Sequence, residues 1–74
     1  MKTLNEIRPG QKVKVLKLHG EGPVKKKLMD MGITRNIDLL VQKVAPLGDP
    51  IEIKVRGYEL SIRKQDAAQI EVEI

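Results

Sequence analysis

Between Ile51 and Lys64, apolar and polar residues alternate on both sides of Arg56-Gly57: Ile51-Glu52-Ile53-Lys54-Val55, then Tyr58-Glu59-Leu60-Ser61-Ile62-Arg63-Lys64. A period of two marks a half-buried strand, and two such runs separated by two residues make a β-hairpin. This loop length sets Val55 opposite Tyr58, Ile53 opposite Leu60 and Ile51 opposite Ile62, so three apolar pairs share one face and Tyr58 is predicted to face the core. The other face pairs Lys54 with Glu59, a cross-strand ion pair worth about a few tenths of a kcal/mol at a solvated surface. A slip of one residue would turn the whole apolar set to water. Gly57 supplies the positive φ that tight hairpin turns require, whereas Arg56 is a poor first residue for the commonest such turn, which leaves the turn type open.

The rest of the chain reads as short elements of the same kind. Thr3-Leu4-Asn5-Glu6 has capping-box spacing for a single helical turn ahead of Pro9-Gly10. Lys12-Val13-Lys14-Val15 alternates as the first strand, and Leu16-Lys17-Leu18 continues in the opposite phase, which marks a bulge or a strand changing sides. After His19-Gly20-Glu21-Gly22, Pro23 suits a first helical position, and Val24, Leu28 and Met31 fall on one helical face. Gly32 ends that helix as a left-handed cap, with Ile33 folding back on its last turn. Asn36 can adopt positive φ ahead of a strand from Ile37 to Val44, with Ile37, Leu39 and Val41 inward. Gln65 to Gln69 makes a turn or one helical turn, and Ile70-Glu71-Val72-Glu73-Ile74 alternates as a closing strand.

Seventy-four residues form one domain, residues 1–74. At this size only about 60% of the chain's surface is buried on folding. With no Phe or Trp and one Tyr, the core must come from Ile, Val, Leu and Met. A sheet this short with apolar inner faces and no second layer must curl on itself. The fold expected is mainly β: a small SH3-like barrel of about five strands, with one α-helix inserted after the first strand.

Chemistry is limited by inventory. There is no Cys and one His, so disulfides, thiolate metal sites and Cys-based catalysis are excluded. Ser61 and the threonines have no His near them in sequence and no phosphate-cradling loop of the Gly-x-x-x-x-Gly-Lys kind is present, so no catalytic residue and no cofactor are expected. His19 and Glu21 share one loop and are weak candidate metal ligands; two ligands are too few for a tight site. The chain has no uninterrupted apolar run resembling a signal peptide and no stretch long enough to span a membrane, so a cytoplasmic protein is expected. A net charge of +4 favours acidic partners without naming one.

Several segments together resemble the ferrous iron transport protein A (FeoA) family: Leu4 with Ile7-Arg8-Pro9-Gly10, Gly20-Glu21-Gly22 leading into Lys27-Leu28-Met29-Asp30-Met31-Gly32-Ile33-Thr34, Ala45-Pro46-Leu47-Gly48-Asp49-Pro50-Ile51-Glu52-Ile53, and Arg56-Gly57-Tyr58-Glu59-Leu60-Ser61-Ile62-Arg63-Lys64. Arg35-Asn36 departs from the Pro-Gly that members often carry after the Thr. The resemblance implies a cytosolic accessory of bacterial ferrous iron uptake that works with FeoB, a membrane transporter bearing a cytoplasmic G-protein domain. Similar domains end metal-dependent repressors; the initiating Met and lack of a helix-turn-helix segment favour the free-standing form.

On that reading the residues expected to meet a partner are Met29, which lies off the buried helical face, Lys25, Lys26 and Lys27 around it, and Leu18, Leu40 and Leu47 in outward phase or in a loop. Two alternatives stand beside it. One is a nucleic-acid-binding barrel, for which acidic residues interrupt the positive surface and an inward Tyr58 leaves no stacking platform. The other is a weakly self-associating module, pairing through an exposed strand Ile70 to Ile74.

Overall fold

The computed structural model describes residues 2–20 and 22–74. The elements are β1 (Lys2–Thr3), a 3₁₀ turn (Leu4–Glu6), β2 (Lys12–Leu18), α1 (Pro23–Asp30), β3 (Asp38–Val44), β4 (Ile51–Val55), β5 (Tyr58–Ile62), α2 (Lys64–Ala67) and β6 (Ile70–Glu73). All strands pair antiparallel in the order β1-β6-β2-β3-β4-β5. The barrel foreseen from the sequence is present, with the two-residue β1 as a sixth strand and α1 between β2 and β3.

The β4–β5 hairpin has the register the alternation dictates, from Val55 opposite Tyr58 to Ile51 opposite Ile62, with Lys54 opposite Glu59. Arg56 and Gly57 both have positive φ, 52° and 82°, so the turn is of the I′ type whose twist matches the strands it joins. One expectation fails: Tyr58 is 72% exposed. It sits at the hairpin tip, where its partner Val55 is already covered by the core. Ile51, Ile53, Val55 and Ile62 are buried, while Leu60 packs against the core's edge.

β2 carries the phase change as a bulge at Leu16, since Val15 pairs with Val72 and Lys17 with Glu71. The extra residue restores the inward phase, so Leu18 is buried at 8% exposure with Val13 and Val15, not outward as expected. The closing strand also differs from its reading as an exposed edge. β6 is interior, flanked by β1 and β2, with Ile70 and Val72 in the core.

α1 starts at Pro23, buries Leu28 and half-buries Val24 and Met31. Gly32 at φ +92° lets the Ile33 N–H return to the Leu28 carbonyl at 3.0 Å, and Ile33 is fully buried. An eight-residue helix is unstable alone, so these contacts hold it to the sheet. The 3₁₀ turn packs on α2, and Leu4 and Ala67 are both fully buried. The Glu6 carboxylate accepts the Thr3 N–H at 2.9 Å and the Thr3 hydroxyl at 3.0 Å. The backbone bond, then the hydroxyl, holds Glu6 below the usual carboxylate range.

Two expectations follow. Arg56→Asn is expected to stabilise the protein by about 0.5–1 kcal/mol, because Asn enters the left-handed region at lower cost than Arg; a lower urea midpoint would contradict this. Glu6 has a folded pKa below its unfolded one, so its contribution is fully present above the ordinary carboxylate range and disappears as pH falls through the lowered value. Acid titration of stability should therefore lose that increment in Glu6→Gln, and parallel acid limbs for the two proteins would refute it.

Candidate functional site

The bulge that buries Leu18 also turns Lys17 outward beside α1. On that helix Leu28 points into the barrel, so Met29, one residue on, faces sideways and remains 48% exposed. Lys25 lies one turn before Met29 on the same stripe. After Ile33 the chain crosses back along β2, where the Asn36 N–H donates to the Val15 carbonyl at 2.7 Å and the Val15 N–H donates to the Ile37 carbonyl at 2.9 Å. Asn36 reaches this position at φ +70°, the positive value its sequence permits. These two bonds fix Thr34-Arg35 as the far wall of a groove.

The groove has a volume of about 340 Å³ and is lined by Lys17, Leu18, Lys25, Met29, Thr34 and Arg35. Leu18 and Met29 give it an apolar floor, while Lys17, Lys25 and Arg35 rim it with positive charge. None of the three cations forms an ion pair among the described residues, where the pairs are His19 with Glu71 and Lys27 with Asp66. The lining offers one hydroxyl and no imidazole, thiol or carboxylate, so it has no anionic metal ligand. Its chemistry is that of contact: a polarizable thioether beside a leucine, with cations available to acidic groups.

Of the residues singled out in the sequence, Lys25, Met29 and Leu18 meet here, Leu18 as floor. Lys26 is exposed and outside the lining, and Lys27 turns to Asp66 at 3.9 Å, linking α1 to α2. Leu40 is half-buried in β3 opposite Lys12 and Lys54, and Leu47 is 91% exposed in the β3–β4 connection; neither lines the groove. Lys17, Thr34 and Arg35 were missed. The bulge signal could have found Lys17, because a phase change at Leu16 exposes it, but which connection lies beside the helix is a tertiary fact.

His19 does not stand open as a loop ligand. Its Nε2 lies 2.8 Å from the Glu71 Oε1, and its backbone N–H donates to the Gln69 carbonyl at 2.6 Å. Glu21, its sequence companion, lies outside the described residues. Among the described residues no three His, Asp or Glu side chains gather as a metal site, and no helix is long and apolar enough to cross a membrane. The exposed Tyr58 removes one argument made against nucleic acid, yet that ring is absent from the cationic groove.

The family model described as "FeoA domain" matches residues 2–74. A fusion of Fe(2+) transport protein A with the Fe(2+) transporter FeoB from Porphyromonas gingivalis is 34% identical over 71 residues, covering 96% of this chain and 8% of the fusion protein. The chain thus spans a small part of that curated relative. The NMR structure of a FeoA-like protein from Clostridium acetobutylicum superposes with a TM-score of 0.91 at 46% identity, covering 97% of this chain and 84% of the other. The manganese regulator SloR shares the fold alone, at 15% identity and a TM-score of 0.83, over 96% of this chain and 33% of its own.

Replacing His19 by Ala is expected to cost about 0.5–1.5 kcal/mol through the lost bond to Glu71. Calorimetric titration with Fe(II) is expected to show no stoichiometric micromolar binding before or after the change; tight binding that vanishes in His19→Ala would make this pair a metal site.

Proposed function

The chain belongs to the FeoA domain family, and from that premise we propose that it is a cytosolic accessory of ferrous iron uptake that binds the cytoplasmic part of a FeoB-type transporter and alters its activity. The observation that carries this reading is the relative in which transport protein A and FeoB are one polypeptide. Covalent joining gives two modules a high effective concentration, which favours contact between them.

The groove supplies a physical means. A partner side chain on Leu18 and Met29 would leave water, while acidic groups beside it would meet Lys17, Lys25 and Arg35. With an apolar floor and a cationic rim, the groove acts by binding, and any nucleotide chemistry belongs to the partner.

Met29→Glu is the direct test, because it sets a carboxylate on the apolar floor without touching the core. Capture of the transporter's cytoplasmic part should fall about tenfold or more, the loss expected when an anchor in a desolvated contact is spoiled. Undiminished capture by the folded variant would remove the groove from the proposal.

A further inference from the structure

The sheet has two ends, and they differ. β1 is only two residues long, too short to template another strand, whereas β5 presents five residues at the opposite end. β5 contains no Pro, no bulge and no Lys, the devices that usually blunt an edge. Among the described residues, no backbone group from Gly57 to Ile62 bonds outside the hairpin.

The register specifies which groups are left over. A two-residue turn closes on a hydrogen-bonded pair, here Val55 with Tyr58, and such pairs alternate along an antiparallel ladder. Leu60 and Ile62 therefore bond towards β4, while the N–H and C=O of Glu59 and Ser61 point off the sheet.

We propose that β5 pairs antiparallel with β5 of a second copy of this chain, about a two-fold axis at Leu60. That axis brings Glu59 opposite Ser61 of the other copy and Ser61 opposite Glu59, so four main-chain hydrogen bonds form from the unpaired groups. Leu60 faces its counterpart, and each exposed Tyr58 comes opposite the other copy's Ile62, whose side chain is already buried in its own core. On the outer face Glu59 lies diagonal to Arg63 of the other copy, and Arg63 has no ion pair among the described residues. The two Glu59 side chains are themselves diagonal across the axis, so each Arg63 also offsets a like-charge pair. A second copy is favoured over an unrelated strand because this one sequence satisfies both sides of the pairing. The inference stands apart from the groove, since none of its lining residues lies in β5.

Sedimentation of the full chain up to about 1 mM should show the weight-average mass rising from 8.3 kDa towards twice that value. The Glu59 and Ser61 amides should gain protection from exchange with concentration, while that of Leu60 is protected throughout. Ser61→Pro removes an outward N–H and leaves the β4 ladder intact, so it should abolish the mass increase. As a second route, Arg63→Glu should weaken association and the double variant Glu59→Arg, Arg63→Glu should restore it. A mass that stays at 8.3 kDa, or a dimer indifferent to these changes, overturns the proposal.

Discussion

Two consecutive residues in the left-handed region, Arg56 and Gly57, hold β4 against β5 with Ile53 opposite Leu60, and the rest of the packing depends on that register. A chain with no Phe or Trp has no large ring to fill a poorly formed interior. Its stability comes from many medium-sized aliphatic groups, each worth about 1.5–3 kcal/mol when fully buried. One step of slippage would expose Ile51, Ile53 and Val55 together. Gly57 takes its φ at little cost, while Arg56 holds a conformation its side chain disfavours.

The groove is a by-product of the same packing. The bulge at Leu16 keeps β2 supplying the core with Leu18 and in doing so swings Lys17 to the rim. Leu28 and Ile33 anchor a helix too short to stand alone, and that anchorage leaves Met29 at the side. The Asn36 and Val15 bonds hold Arg35 across from both. The groove and the core therefore share the same few residues, but Met29 itself belongs only to the surface.

What the sequence made legible was local. Hairpin register, Pro23 and Gly32 at the helix ends, the capping-box turn, positive φ at Asn36 and the β2 bulge all follow from rules spanning a few residues. The readings that failed needed tertiary knowledge. Alternation alone sends Leu18 outward, although the extra residue at Leu16 reverses its phase. Alternation alone sends Tyr58 inward, although the core ends before the hairpin tip. The last strand lies inside the sheet because the first residues of the chain fold back onto it. Arg35 joins Lys25 only once the connection crosses β2.

His19 is tied to Glu71, and the groove presents an apolar floor within a cationic rim. Fusion of the two transport components in a relative fits a module whose work is contact. The most direct measurement is amide chemical-shift mapping of the labelled full chain during titration with the transporter's cytoplasmic part. The account predicts perturbations at Lys17, Leu18, Lys25, Met29, Thr34 and Arg35 that weaken with added salt. Shifts confined to other surfaces, with these six amides unmoved at saturation, would contradict it.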